Sequence, residues 1–239
     1  FFGAQRDIKD RVIRVLHSLS FVEDPTRILR AIRFEQRFSF KIGAQTERLI
    51  KNAISNQFVH KLSGSRVFHE VRHIFEDDNP VACVRRMDEL GLLSAIHPLL
   101  ALDARKEEVL AEADRVITWY RLLYLKEQPE IWRIYFLGLC AGMDDEQTAS
   151  VTARLGFSKH HQHEFLAMRH SIRDTAQSIF EWEYRKGLYS ELYFMLKDLT
   201  LEGVLYLMAR NPKETVRRAI SLFLTTLRVQ RIEIGGEDL

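Results

Sequence analysis

Apolar residues recur along this chain at three- and four-residue intervals, with almost no strict alternation, and that spacing predicts helices from one end to the other. The expected helices lie near residues 5–18, 24–37, 44–54, 64–76, 80–90, 105–125, 129–142, 146–154, 159–180, 188–197, 200–209 and 212–229. One short piece, Phe38–Ile42, reads as extended. Only 11 Gly and 5 Pro interrupt the pattern, and the connections are short, which favours antiparallel neighbours. The expected fold class is all-α, a helical bundle or superhelix with no fixed-period repeat. Asn79-Pro80 and Asn211-Pro212 are start signals and Gly91 a stop signal.

Composition adds bounds. The 239 residues, 46% of them hydrophobic, suffice for one large or two small cores. No apolar run approaches a membrane span and the start lacks the features of a secretory signal, so the expected surroundings are soluble, cytoplasmic by default. Cys83 and Cys140 read as buried thiols rather than a disulfide. Net charge is only +2, but residues 1–75 hold 14 Lys and Arg against 7 Asp and Glu, whereas residues 76–239 hold 21 against 26. Positive charge is thus concentrated in the first third, as suits a surface facing phosphates. Candidate boundaries fall at Glu76-Asp77-Asp78-Asn79-Pro80, where the charge changes, and at Lys186-Gly187.

The chemistry gathers in Glu23-Asp24-Pro25-Thr26-Arg27-Ile28-Leu29-Arg30. Asp followed by Pro opens a helix, with the acid as cap at the positive end of the helix dipole. At about 100° per residue, Arg27, Arg30, Arg33 and Arg37 share one face while Ile28, Leu29 and Ile32 share another. A carboxylate only accepts hydrogen bonds and a guanidinium only donates them. Cytosine and adenine each offer an exocyclic amine beside an unprotonated ring nitrogen, so Asp24 could take the amine while Arg27 donates to the nitrogen. Guanine and uracil present a carbonyl beside a ring N–H and would set like against like. The plainer alternative is an amphipathic surface helix with a Glu23–Arg27 pair worth a few tenths of a kcal/mol.

Around this helix stand Gly3-Ala4-Gln5-Arg6-Asp7-Ile8 and Val12-Ile13-Arg14 upstream, and Arg33-Phe34, Phe38, Phe40, Thr46 and Leu62-Ser63-Gly64-Ser65-Arg66-Val67-Phe68-His69-Glu70 downstream. In this order the motifs resemble the class II nucleotidyltransferases: bacterial CCA-adding enzymes, A-adding enzymes and poly(A) polymerases. The resemblance is specific over residues 1 to about 75 and weaker beyond, where it rests on Leu90-Gly91-Leu92-Leu93, His97-Pro98-Leu99-Leu100 and the closing Gly236-Glu237-Asp238-Leu239.

The resemblance implies that Glu23, Asp24, Arg27 and Arg30 recognise the incoming nucleotide, that Gly3, Asp7 and Arg14 belong to a hinge, and that Arg66 and Glu70 stabilise the neck. It implies residues 1–20 as hinge from a head domain, 21–78 as neck, 79–187 as body and 188–239 as part of an RNA-binding tail. Ala4 stands where the family has a second hinge glycine and Ser65 where it has an acid, departures that touch hinge flexibility and one ion pair. ATP, with CTP as a further candidate, and the 3′ end of tRNA or another RNA are the implied partners; no membrane is expected, and the motif does not separate CCA addition, A addition and poly(A) synthesis. Nucleotidyl transfer needs metal ions held by carboxylates. In this family an Asp-x-Asp pair in the head holds them, and no Asp-x-Asp occurs in this sequence. Mg2+ is therefore expected in a head domain outside these residues, with no catalytic residue or metal ligand here. The chain starts without Met inside the hinge motif and reads as an inactive piece of a longer enzyme.

Competing readings remain. His69-Glu70-Val71-Arg72-His73 matches the H-E-x-x-H spacing of zinc peptidases, with Glu89 or His97 as possible third ligands, although Arg72 would bring a cation toward the metal. His160-His161-Gln162-His163 cannot converge on one ion from a helix and reads as a solvated helix start. Trp119-Tyr120, Trp132, Tyr135, Phe136, Trp182 and Tyr184 read mostly as core, and Lys213, Arg217 and Arg218 as a solvated face. A helical RNA- or protein-binding module without a nucleotide pocket is the main alternative function.

Overall fold

The computed structural model describes residues 3–211 and 213–228. The expected helix start at Pro212 and the closing Gly235-Gly236-Glu237-Asp238-Leu239 lie outside them. The protein is all-α apart from one pair of two-residue strands. Its contacts divide it into two units, residues 1–111 with 138–166 and residues 112–137 with 167–239. Both composition boundaries, at 76–80 and 186–187, fall inside a unit.

The first unit opens with α1 (Ala4–Asp10), β1 (Val12–Ile13), α2 (Ser20–Glu23), α3 (Thr26–Arg37), β2 (Lys41–Ile42) and α4 (Ala44–Ser55). A single helix over 5–18 does not form. Arg11 turns left-handed at φ 53° and ends α1, after which the β-branched Val12 and Ile13 pair in parallel with Lys41 and Ile42. The extended piece expected near Phe38–Ile42 is thus half of a strand pair whose other half the helical period concealed. A 3-10 turn (Phe58–Lys61), α5 (Gly64–Phe75), α6 (Pro80–Glu89), α7 (Leu92–Ile96) and a second 3-10 turn (Pro98–Leu100) follow. Gly91 takes φ 76° and ends α6 as expected.

The apolar stripe of α3 is buried as its period requires. Ile28, Leu29 and Ile32 are at most 1% exposed, each contributing about 1.5–3 kcal/mol over an exposed position. They pack beside α5 and α6, which brings the face of α5 bearing Arg66 and Glu70 alongside α3.

Two close contacts fix α5. Gly64 at its start lies against the backbone of Arg154, Leu155 and Gly156, at the end of α10 (Asp145–Arg154), and the Arg154 guanidinium donates to the carbonyls of Val59 and Leu62. His97 is bound at both ring nitrogens: Nδ1 accepts from the Leu99 N–H at 3.2 Å, and Nε2 lies 3.0 Å from the Ser150 hydroxyl. Burial, and then the nearby Arg154 charge, lower its pKa. The fold holds the ring neutral, so its contribution is present above the unfolded imidazole pKa of about 6.5 and is lost as pH falls through the lower folded value. Melting temperature should therefore drop on acidification below about pH 6.5, and His97→Asn, which can still accept from Leu99, should remove that part of the drop. An identical pH profile in the variant would refute the attribution.

The second unit is formed by parts of α8 (Ala104–Arg121), α9 (Ile131–Leu139) and α11 (Lys159–Arg185), then α12 (Tyr189–Leu196), α13 (Leu201–Arg210) and α14 (Glu214–Leu222), which continues as a π turn over Phe223–Leu227. Tyr120, Trp132, Tyr135, Phe136 and Trp182 are buried, as the helical spacing implies, whereas Tyr184 is 88% exposed. Lys213, Arg217 and Arg218 are each held by an acid, Glu183, Glu112 and Glu214. Both cysteines are buried, and burial pushes the Cys83 thiol up to about 12. Among the described residues no helix is long and apolar enough to cross a membrane.

Candidate functional site

Asp24 adopts an extended backbone before Pro25 and caps α3 from its side chain: Oδ1 accepts from the Thr26 N–H at 3.1 Å and the Thr26 hydroxyl at 2.7 Å. The same oxygen takes a third bond at 3.0 Å from the Arg66 guanidinium on α5. Oδ2 has no such bond among the described residues. Burial pushes this carboxyl upward, but the Thr26 hydroxyl and N–H, with the charges of Arg66 and Arg27, outweigh it and hold Asp24 below the usual range. At neutral pH it is an acceptor only.

An open cavity of about 430 Å³ lies against this carboxylate, lined also by Thr26, Arg30, Ser65, Arg66, His69 and Glu70. Arg30 is exposed there and has no ion-pair partner among the described residues. Arg27 stands outside this lining. Its guanidinium donates to the Ser20 carbonyl at 3.2 Å and to Glu23 at 3.3 Å, while Glu23 also lies 3.6 Å from His17. Asp24 and Arg27 are both partly exposed, but they are not presented as a ready-made pair. The Glu23–Arg27 contact of the plainer reading is therefore present as well.

The four-arginine face divides in two. Arg27 and Arg30 stand toward the cap, whereas Arg33 pairs with Glu70 at 4.0 Å and Asp77 at 3.6 Å, and Arg37 with Asp77 at 3.7 Å. Arg66 and Glu70 both reach α3 or its cap, one through Asp24 and the other through Arg33. Ser65 contributes no charge; its hydroxyl lies 3.4 Å from that of Ser63. In the segment read as a hinge, Gly3 takes φ 79°, and Asp7 bonds Arg14, whose second partner is Asp10 at 3.6 Å.

The zinc-like spacing brings His69 and His73 together, Nε2 to Nε2 at 3.1 Å, close enough to share one proton. The possible third ligands are engaged elsewhere, Glu89 with Arg86 and His97 with Ser150, and Glu70, the would-be general base, pairs with Arg33. No group of three or more potential metal ligands assembles among the described residues. His160, His161 and His163 project from the start of α11, with His160 3.4 Å from Glu164.

Spacing alone missed one cluster. Glu35 lies on the buried side of α3, three residues after Ile32, where the period calls for an apolar side chain. It binds Arg86 of α6, which also holds Glu47 and Glu89. The acid in the apolar stripe was the available signal.

Residues 39–103 match the family described as the probable RNA and SrmB-binding site of polymerase A. The A-adding tRNA nucleotidyltransferase of Geobacter sulfurreducens is 44% identical over the whole chain, which covers 27% of that protein. The Aquifex aeolicus enzyme of the same description is 28% identical over 95% of the chain and again 27% of its own length. Among solved structures, the Thermotoga maritima CCA-adding enzyme complexed with tRNA superposes with a TM-score of 0.81 at 30% identity, covering all of this chain and 57% of that one. A CCA-adding enzyme with ATP gives 0.83 at 30%, covering 99% and 56%. The chain thus spans about a quarter of the curated relatives' length.

These relatives define one class, enzymes that extend tRNA. Over its whole length the chain is similar to A-adding and CCA-adding tRNA nucleotidyltransferases, and its residues 39–103 carry the polymerase A match.

Proposed function

We propose that this chain is the nucleotide-reading and RNA-binding portion of a cytoplasmic tRNA nucleotidyltransferase that adds A, or C and A, to an RNA 3′ end. In this reading residues 1–20 are the hinge, 21–78 the neck, 79–187 the body and 188–239 part of the tail. Asp24 accepts the exocyclic amine of the incoming base through Oδ2, and Arg27 donates to the adjacent ring nitrogen. Arg30 faces the nucleotide's phosphates, and Arg66 and Glu70 hold the cap and helix α3.

The observation that carries this reading is the Asp24 carboxylate, kept acceptor-only on the wall of an open cavity beside Arg30, which has no ion-pair partner among the described residues. Relatives solved with tRNA, ATP and CTP support the partners. Arg27 has to leave Glu23, an exposed pair worth only a few tenths of a kcal/mol, so its rotation costs little against the roughly 1–3 kcal/mol of a base-specific pair. The metal-assisted chemistry belongs to a head carrying the acidic pair that this sequence lacks; Mg2+ there would neutralise charge developing on the phosphoryl oxygens. These residues supply selection, and alone they should not catalyse.

Nucleotide titration at low and high salt tests the assignment. A base-reading pair gives a preference for ATP or CTP over GTP that persists as salt rises. Equal affinities that fall together with salt would replace it with simple phosphate tracking by a helical RNA-binding module.

A further inference from the structure

The Glu35–Arg86 cluster has a geometry that stability alone does not require. Arg86 Nε donates to Glu35 Oε2 at 2.9 Å, one terminal nitrogen to Glu47 Oε2 at 2.7 Å and the other to Glu89 Oε2 at 3.1 Å. The second oxygen of Glu35 accepts the Ile42 N–H of β2 at 2.9 Å. One guanidinium therefore ties together the C-terminal turn of α3, the start of α4, helix α6 and, through Glu35, the strand paired with β1. β1 leads directly to Arg14 and its partner Asp7. The side chains of Glu35 and Arg86 are only 9% and 20% exposed.

A buried ion pair is a poor way merely to glue helices, because an apolar pair of similar volume is often as stabilising. What a planar guanidinium adds is direction: each N–H fixes an angle as well as a distance. α3 is 12 residues, about 18 Å, long, so a tilt of about 3° pivoting at Glu35 moves the Asp24 end by about 1 Å.

We propose that Glu35 and Arg86 are positioning residues that set the angle of α3 relative to the β1–β2 pair, and so align the base held at Asp24 with the chemistry delivered through the hinge. This inference rests on the nucleotide-addition reading above. A misplacement of about 1 Å between reacting groups costs on the order of 100-fold in rate, while base contacts at the cap are local to α2, α3 and α5.

The test uses the full-length enzyme and steady-state ATP incorporation, with melting temperature measured in parallel. Arg86→Gln should lower kcat by about 10- to 100-fold with KM for ATP nearly unchanged. Because that variant also strands the buried Glu35, the paired Glu35→Leu, Arg86→Met variant is compared at restored melting temperature. A kcat still depressed at least about 10-fold, with ATP-over-GTP preference intact, supports positioning. Glu35→Gln can keep the Ile42 bond with its one amide oxygen but then turns an NH2 toward the Arg86 Nε–H, so it should lower kcat by about 10-fold with KM for ATP nearly unchanged, and it provides the same comparison if the double variant fails to fold. Recovery of kcat in step with melting temperature in the double variant, or a wild-type kcat in a folded Glu35→Gln, would overturn the proposal. So would a raised KM at unchanged kcat. Wild-type enzyme that incorporates no nucleotide would instead sink the parent reading, and this inference with it.

Discussion

Asp24→Ala in the full-length enzyme is expected to reduce discrimination of ATP over GTP from about 10⁴-fold toward about 10-fold, mainly by losing ATP incorporation. In the proposed reading the carboxylate supplies the acceptor that adenine's amine needs, and its removal would leave the pocket indifferent to amine or carbonyl. Arg27→Ala should act in the same direction, since the ring nitrogen then has no donor. Arg37→Ala is the control: it lies on the same helix face but pairs with Asp77 at the far end of α3. Single-nucleotide kcat/KM for each triphosphate is the measurement. Unchanged selectivity in both Asp24→Ala and Arg27→Ala would remove the base-reading assignment.

Gly64→Ala should be the most damaging small substitution in the first unit, with a loss of about 3 kcal/mol, the upper end for forcing atoms into a packed site. An added methyl would overlap the Arg154 carbonyl oxygen and stand 2.5 Å from the Gly156 nitrogen and 2.6 Å from the Leu155 carbonyl carbon. All three are backbone atoms, and no side chain can swing aside. The displaced segment would be the start of α5, which carries Arg66 toward Asp24. Gly91→Ala is the comparison, because Gly91 has φ 76° but nothing within 4 Å, so only the left-handed strain of about 1 kcal/mol applies. Equal denaturation midpoints for the two variants would show that the close approach at Gly64 is unimportant.

The elements that were legible in the sequence are those set by local rules. The Asp24-Pro25 start, the apolar stripe of α3 and the stop at Gly91 depend on neighbours within a turn or two, and each forms as the residues imply. The break after Asp10 was not legible, because Val12 and Ile13 gain partners about 30 residues away and the helical period cannot register that. The Arg face was only half legible. Periodicity places Arg33 and Arg37 on it but says nothing of Asp77, which arrives from beyond α5 and occupies both. Arg27 shows a further limit: positions three and four residues apart are both neighbours on a helix, so spacing alone leaves Glu23 and Asp24 equally available to it. Glu35 was visible as an anomaly, an acid in an apolar stripe, but its meaning required Arg86 from 51 residues downstream.

The two oxygens of Asp24 are placed differently: Oδ1 is committed to fastening the helix, and Oδ2, which makes no such bond among the described residues, is the one the proposed reading gives to the visitor. An amide in its place could keep the fastening oxygen and offer an NH2 where the second oxygen stood. If the proposed reading holds, the letter accepted would be set at one atom, apart from the clasp that holds the reader in place.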